Sequence, residues 1–317
     1  MTAYLALARP SAASLRAFGL LAVLLAVIFF ASGRISPALV LDNIRQAAPL
    51  GIAVLGQAIV LMMGRLDLSI GATASLANIV LCLVFAGDMG NLVPALAATF
   101  GCGLLVGLAN GIMATKLRIP SFLATLATSL VLAGVILLVT GGSPRGSVPA
   151  GFRVITEGWL FGIVPWSALI WLVAAVAVFV LVHLTMTGRK MLLVGANPVA
   201  ARHNGLPADG MVILSFVLAS LFATFAGVLV SAVTGMASIG IGNSYTLDSI
   251  AAAVIGGALF SGGVFLPAGA VAGTLILFFL QSLLYLLSLP PAARFILQGA
   301  IIVVALAIAN LKTEKRP

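Results

Sequence analysis

Charged side chains are scarce in this sequence, and their scarcity excludes an ordinary water-soluble fold. Only 7% of the 317 residues are charged, whereas 62% are apolar. A soluble domain carries about 25% charged residues, because water must solvate its surface. Seven acidic and sixteen basic side chains cannot cover a globule of this length. Since the apolar runs recur along the whole chain, the sequence predicts an all-α polytopic membrane protein.

Motifs for catalysis or metal binding are also lacking. Cys82 and Cys102 lie inside apolar runs without metal-ligand spacing, and His183 and His203 stand alone. The chain has no P-loop, so it does not bind ATP by that route. We therefore expect no catalytic residues, no metal site and no cofactor in this chain. The net charge of +9 is scattered between apolar runs, which indicates a topology signal rather than a nucleic-acid surface.

The apolar runs predict about ten crossings within a single membrane domain, residues 1–317, because a bilayer core needs about 20 helical residues per crossing. The first run resembles a secretory signal but lacks a clear cleavage pattern, so we interpret it as a retained span. The third and eighth runs are short, and interrupted helices at membrane depth must be buried in protein or line a cavity. The runs lie near residues 16–33, 46–64, 70–87, 92–114, 120–140, 163–184, 211–235, 247–260, 264–288 and 294–311.

The basic residues predict the orientation. With the N-terminus in the cytoplasm and ten crossings, more basic residues fall inside than outside, as the positive-inside rule requires. Both termini are then cytoplasmic, with a long outer loop at about 141–158 and a long inner segment at about 187–210. The cytoplasmic set is Arg9, Arg16, Arg65, Lys116, Arg118, Arg189, Lys190, Arg202, Lys312, Lys315 and Arg316, and the outer set is Arg34, Arg45, Arg145, Arg153 and Arg294.

The inner segment contains the signals of a short helix. Asn197 is a good N-cap, and Pro198 suits the first helical position. Asn204 and Gly205 supply a left-handed stop. Such a helix could dock on a partner, or the segment could be an ordinary linker between two spans.

A short sequence echo links two parts of the chain. Residues 66–70 read Leu-Asp-Leu-Ser-Ile, and residues 247–250 read Leu-Asp-Ser-Ile. Because five predicted spans separate them, the two sites have opposite orientation, as in an inverted repeat with broken helices at a substrate pathway. Chance similarity is the alternative. Asp67 and Asp248 are either helix N-caps, ahead of Ser69 and Ile250, or polar groups of a pathway.

Four collinear stretches resemble the permeases of ribose/xylose/galactose-type ABC importers, which are related to branched-chain amino-acid permeases. Residues 64–71, GRLDLSIG, resemble the family motif GGIDLSVG. Asn110-Gly111 with IPSFLATL at 119–126 is similar to NG…IPxFIxTL. Residues 187–201 are similar to TxxGRxxxAxGxNxxAA, and YTLDSIAAAVIGG at 245–257 resembles YELDAIAAVVIGG.

The resemblance implies an ABC importer permease fold of about ten helices in the bacterial inner membrane. It also implies a second permease subunit, identical or different, a cytoplasmic ABC ATPase that binds ATP, and an extracytoplasmic binding protein that delivers a sugar. The chain itself is then a transport subunit and not an enzyme. The candidate pathway or broken-helix residues are Asp67, Ser69, Gly71, Asn110 and Asp248, and the candidate ATPase coupling segment contains Gly188, Arg189, Gly195, Asn197, Pro198, Ala200, Ala201 and Gly205.

Three departures from the family pattern leave the solute open. Arg65 stands where the second glycine is usual, Ala133 replaces a common arginine, and Thr246 replaces the usual glutamate. An amino acid, a nucleoside or a signalling molecule is therefore an alternative to a sugar. A secondary transporter driven by an ion gradient is the alternative of another class, with Asp67 and Asp248 as its coupling carboxylates.

Overall fold

The computed structural model describes residues 12–32 and 36–290, together with a few isolated positions between 292 and 303. These ranges are mostly helical, and their strands form one antiparallel hairpin, β1 Trp159–Leu160 with β2 Val164–Pro165. The helices are α1 Ala12–Ser32, α2 Pro37–Met62, α3 Ile70–Phe85, α4 Leu92–Thr115, α5 Ser121–Thr140, α6 Ala150–Glu157, α7 Trp166–Phe179, α8 Met186–Ala196, α9 Pro198–His203, α10 Ala208–Thr234, α11 Asn243–Ile255 and α12 Pro267–Leu286. A 3-10 turn at Met89–Asn91 precedes α4, and a π-helical turn at Val180–Leu184 continues α7.

Seven helices in the described ranges are long and apolar enough to cross a membrane, namely α1, α2, α4, α5, α7, α10 and α12. This agrees with the predicted polytopic all-α architecture. The third and eighth predicted spans are short, with 16 residues in α3 and 13 in α11. The predicted tenth span, residues 294–311, lies outside the described residues apart from isolated positions.

Proline and glycine set several of the helix boundaries. The helices α2 and α12 begin with Pro37 and Pro267, which lose no backbone hydrogen bond at the first helical position. The helices α5 and α10 end at Gly141 and Gly235, both in the left-handed conformation that favours glycine. Proline and glycine therefore mark where these four helices begin and end.

The helices α2 and α10 form the centre of the bundle. Within the most apolar window of each span, 83% of the residues of α2 and 67% of those of α10 are buried, against 22% for α5. The helix α2 packs against α7, α10, α11 and α12, whereas α10 packs against α2, α3, α4 and α6. The exposed apolar side chains of α1, α4 and α5 suit contact with lipid.

Small residues bring the central helices close together. In α4, a Cβ on Gly107 would lie 2.6 Å from the Cα of Val217 and 2.8 Å from the carbonyl oxygen of Phe216, both in α10. Gly227 of α10 makes a similarly close approach to the backbone of Ala74 in α3. Without a hydrophobic driving force between helices in lipid, such close backbone packing supplies much of their association.

The two short helices begin beside each other. The segment 63–69 joins α2 to α3, and the segment 235–242 joins α10 to α11. At the start of α3, a Cβ on Gly71 would collide with the carbonyl oxygen of Gly242, and a Cβ on Gly242 would collide with that of Gly71. The amide of Gly242 donates to the hydroxyl of Ser75 at 3.0 Å. The N-termini of α3 and α11 therefore meet inside the bundle.

The close contact at Gly107 gives a direct test of this packing. We expect Gly107→Ala to lower the free energy of unfolding by roughly 1–3 kcal/mol, because the added methyl group overpacks the contact between α4 and α10. Gly101 on the same helix has no neighbouring atom within 4 Å of its added Cβ, so Gly101→Ala is the matched control. Thermal unfolding in detergent measures both variants, and equal midpoints would contradict the packing.

Candidate functional site

Asp67 lies in the non-helical segment before α3 and is completely buried. Its Oδ1 accepts hydrogen bonds from the amide of Ser69 at 2.8 Å and from the hydroxyl of Ser69 at 2.6 Å. Its Oδ2 has no hydrogen-bond partner within the described part of the chain. Asp67 therefore fixes the backbone turn that leads into α3 and keeps one carboxylate oxygen without a partner inside the bundle. The N-cap of α3 is Ser69, so the alternative that Asp67 is itself the N-cap is wrong.

A hydrogen-bonded relay extends from Asp67 across two further helices. The hydroxyl of Ser69 accepts a hydrogen bond from Nδ2 of Asn110 in α4 at 2.8 Å. Oδ1 of Asn110 accepts one from the hydroxyl of Thr128 in α5 at 2.6 Å. The predicted residues Asp67, Ser69 and Asn110 are thus brought together, and Thr128 joins them. Buried polar groups linked in this way strengthen one another and define one arrangement of the helices.

The same face of α5 satisfies the backbone of segment 63–69. The amide of Leu66 donates to the hydroxyl of Ser121 at 3.4 Å, and the amide of Leu68 donates to Oγ1 of Thr125 at 3.0 Å. Sequence reasoning missed Ser121, Thr125 and Thr128. Their spacing of four and three residues places them on one side of a helix, and this polar stripe on a mostly apolar helix was the available signal.

Asp248 occupies a different position from the one that the capping alternative gives it. The helix α11 begins at Asn243, so Asp248 lies in its second turn and is not an N-cap for Ile250. That alternative is wrong because the helix starts ahead of the Leu-Asp motif and not within it. Asp248 is 2% exposed.

A cavity of about 250 Å³ lies between α2, α10, α11 and α12, with Asp248 in its wall. Apolar side chains of α2, α10 and α12 contribute to it. It is smaller than the cavities that hold drug-sized ligands, so its size suits a small solute. Its polar lining consists of Gln46, Ser244, Tyr245, Asp248 and Gln281.

The predicted short helix between the sixth and seventh spans is present as α9. Oδ1 of Asn197 accepts a hydrogen bond from the amide of Ala200 at 2.9 Å, and Pro198 is the first helical residue. Gly205 follows with a φ of +75°. The preceding α8 is capped by Thr185, whose hydroxyl accepts from the amide of Gly188 at 3.1 Å. Two capped helices therefore fill most of the segment 187–210.

One side of α9 is exposed and the other is buried. Val199 is 64% exposed and Ala200 is exposed, whereas Ala201 is buried in the main hydrophobic core. The expectation that both alanines face a partner is therefore wrong for Ala201, since α9 packs one of its sides onto the bundle. Arg189 is exposed.

Gly195 allows the segment 187–210 to pack closely against the end of α2. A Cβ on Gly195 would collide with the carbonyl oxygen of Met62, the last residue of α2. The same carbonyl accepts a hydrogen bond from the amide of Gly263 at 2.7 Å. The end of α8, the end of α2 and the loop after α11 therefore meet at one point, and a displacement of α8 would reach all three.

Comparison with known proteins gives consistent matches over most of the chain. Residues 39–306 match the family model described as "Branched-chain amino acid transport system / permease component". The chain is 32% identical to the ribose import permease protein RbsC of Bacillus subtilis (strain 168), over 93% of this chain and 92% of that protein. It is 31% identical to the galactose/methyl galactoside import permease protein MglC of Escherichia coli (strain K12), over 93% of this chain and 94% of that protein. No solved structure matches the chain.

The relay gives a prediction about the coupling between α4 and α5. Asn110→Ala and Thr128→Val each remove one side of the hydrogen bond between these helices, and each should cost about 1–3 kcal/mol of unfolding free energy. Combined, they should cost less than their sum, because the second substitution has no bond left to remove. Thr115→Ala in α4 is the control, since that hydroxyl bonds the carbonyl of Gly111 in its own helix. Strict additivity in detergent unfolding would contradict the relay.

Proposed function

The chain belongs to the permease-component family of branched-chain amino acid transport systems, and from that premise we propose that it is the membrane-spanning subunit of an ATP-driven sugar importer. The family model names an amino acid, but the relatives whose names state a solute import ribose or galactose and methyl galactoside. These relatives align with the chain over almost their full length. A monosaccharide or a related polyol is therefore the solute that the comparisons favour.

The solute pathway runs past the point where the short helices begin. The contacts support an inverted repeat, in which α2, α3 and α4 correspond to α10, α11 and α12. The helix α2 touches α10, α11 and α12, while α10 touches α2, α3 and α4, and the pairs α3–α4 and α11–α12 also touch. When α2, α3 and α4 are exchanged with α10, α11 and α12, each of these contacts maps onto a contact of the same set. Transporters whose broken helices meet near the bilayer midplane have this symmetry.

The chemistry of the cavity beside α11 suits an uncharged, hydroxyl-rich solute. Its amide, hydroxyl and carboxylate groups can donate to and accept from sugar hydroxyls, and its apolar walls can face the C–H surfaces of a sugar ring. Asp67 has a different role: its Oδ1 accepts hydrogen bonds from Ser69 and thereby holds the start of α3 in place. A carboxylate bound into the fold in this way favours a structural role over ion coupling in a gradient-driven transporter.

The segment of α8 and α9 receives the motion of a cytoplasmic ATPase. With the N-terminus in the cytoplasm, this segment lies on the same side as the ends of α2 and α4. Val199 and Ala200 present a small exposed surface, and Gly195 connects α8 to the end of α2. A push on α9 is then transmitted to α2, which packs against both α10 and α11. The ATP site itself belongs to the ATPase.

Further subunits complete the transporter. A second permease subunit, either a copy of this chain or a homologue, forms the other half of the pathway, and an extracytoplasmic binding protein delivers the solute. The outer loop 141–158, with α6 and the hairpin that follows it, is the docking surface that we assign to that protein. The ion pair between Arg153 and Glu157 joins adjacent turns of α6.

Reconstitution tests both the function and the coupling. Liposomes that contain this chain, its ATPase and its binding protein should take up ribose or galactose only when ATP is enclosed on the ATPase side. Replacing Val199 and Ala200 together by glutamate should abolish uptake or uncouple ATP hydrolysis from it, because two charges would occupy the docking surface. The membrane fold should remain intact, since both side chains are exposed.

The matched control is Leu289→Glu, an exposed position after α12 that lies outside the surfaces assigned to the ATPase and the binding protein. Its uptake should remain within about twofold of wild type, since surface substitutions change little. Uptake driven by an ion gradient in the absence of the ATPase would contradict the proposed function and favour a secondary transporter. Normal ATP-driven uptake by the Val199 and Ala200 double variant would contradict only the coupling role of α9.

A further inference from the structure

A basic cleft lies at the end of the bundle where α2 and α4 end and where α5 and α10 begin. Its volume is about 450 Å³, and its charged lining consists of Arg65, Lys116, Arg118, Arg202 and Asp209. These residues come from four separate parts of the chain: the segment after α2, the turn between α4 and α5, the helix α9 and the first turn of α10. The relay and the cavity beside α11 do not use them.

The charges of the basic cleft are unbalanced. Asp209 is its one carboxylate, and it pairs with Arg202 at 2.5 Å. The side chains of Arg65, Lys116 and Arg118 have no ion pair or hydrogen bond within the part of the chain that the structure describes. Three positive charges therefore remain around one opening. Charges within roughly 8 Å of each other are poorly screened at physiological ionic strength, so an anion bound among them would relieve their repulsion.

Arg65 is the cation whose position is hardest to explain without a ligand. It is half-buried, and burial lowers the pKa of its guanidinium, with Arg202 adding to the effect and Asp209 opposing it. A half-buried guanidinium without a protein partner gains from a bound anion, because burial disfavours its charged form and an opposite charge favours it. Arg65 also stands where the family motif that this chain resembles carries its second glycine, so the motif itself does not require a cation here.

The start of α5 adds a further attraction for anions. Ile119 and Pro120 line the basic cleft, and Pro120 is the N-cap of α5, where no side chain caps the helix. The first amides of a helix have no partner within it, and the helix dipole places partial positive charge at this end. A phosphate group is the kind of anion that such a helix start and flanking cations bind together.

The surroundings favour a phosphate that carries a lipid. Leu117 is 63% exposed, and Phe122 and Leu123 are each 47% exposed. All three belong to the turn and the helix that border the basic cleft. A free phosphate ion gains nothing from apolar neighbours. A phospholipid has a charged headgroup next to apolar acyl chains, which matches a basic cleft bordered by exposed apolar side chains.

We propose that the basic cleft binds the phosphate group of an anionic phospholipid, whose acyl chains lie along the exposed apolar side chains of α5. Basic pockets between membrane helices at the cytoplasmic side suit anionic headgroups on electrostatic grounds. Arg65 and Lys116 supply charge to the phosphate, and the pair of Arg202 with Asp209 forms another part of the lining.

The test measures lipid binding to the full chain. Phosphatidylglycerol and phosphatidylcholine are titrated separately into the purified chain in detergent, and bound lipid is counted by native mass spectrometry. We expect a saturable site for phosphatidylglycerol that phosphatidylcholine does not fill. Arg65→Gln and Lys116→Gln should each weaken phosphatidylglycerol binding about fivefold, and the double variant about 25-fold, as about 1 kcal/mol per basic residue implies.

Arg145→Gln is the matched control, because it removes one positive charge from an exposed position on the loop 141–158. It should bind phosphatidylglycerol as the wild type does, and no variant should have a lower midpoint of thermal unfolding without added lipid than the wild type. Unchanged phosphatidylglycerol binding by the double variant would overturn the proposal, and so would equal binding of both lipids.

Two further measurements distinguish the lipid from other occupants of the basic cleft. Inorganic phosphate at millimolar concentration should not displace phosphatidylglycerol, and full displacement would assign the basic cleft to a free phosphate ion. In nanodiscs of phosphatidylcholine alone, the double variant should bind the ATPase as tightly as the wild type does. A loss of ATPase binding there would assign the basic cleft to an acidic surface of that subunit and overturn the lipid assignment.

Discussion

Backbone polar groups inside a bilayer must be satisfied by the protein, and this constraint governs the centre of the structure. Lipid offers no hydrogen bonds, and each unsatisfied amide or carbonyl there costs several kcal/mol. The segments 63–69 and 235–242 are not helical, yet they lead into helices that begin inside the bundle. Side chains of neighbouring helices receive their amides: those of Leu66 and Leu68 bond hydroxyls of α5, and those of Ser238 and Gly242 bond Asn78 and Ser75 of α3.

The positions of the polar side chains follow from this constraint. The backbone of each non-helical segment needs hydroxyl and amide side chains nearby as hydrogen-bond partners. The structure concentrates such side chains beside the segments 63–69 and 235–242. The same groups can serve a passing polar solute, because a broken helix exposes donors and acceptors that a continuous helix would use internally. The close approach of Gly71 and Gly242 requires that neither residue has a side chain. Support for the backbone and a polar route through the membrane are thus consequences of the same arrangement.

The sequence was informative wherever a local rule determines local structure. Run length predicted the short helices α3 and α11, and capping chemistry predicted α9 from Asn197 and Pro198. The echo of Leu-Asp-Ser-Ile drew attention to both short helices, although Asp248 lies within its helix and Asp67 lies ahead of its own.

It was harder to predict which side of each helix packs on protein and which side chains pair between helices, for a physical reason. A helix that is apolar on all sides gives no periodic signal for which side packs on protein and which on lipid. The six residues of α9 are too few to give such a signal, and Ala201, which was placed among the candidate coupling residues, packs in the core. The bond from Asn110 to Thr128 joins two helices, and no local pattern in either helix predicts that pairing.

Hydrogen exchange measured by mass spectrometry, with the chain in lipid nanodiscs, tests the central constraint most directly. If the amides of Leu66 and Leu68 bond α5, that of Ser69 bonds Asp67, and those of Ser238 and Gly242 bond α3, the peptides that carry them should exchange much more slowly than the exposed segment 141–145. None of the three segments is helical. Protection in both segments is the predicted result. Exchange in 63–69 or 235–242 as fast as in 141–145 would show that these segments face water, and would contradict the account of two helices that begin at a shared, protein-satisfied centre.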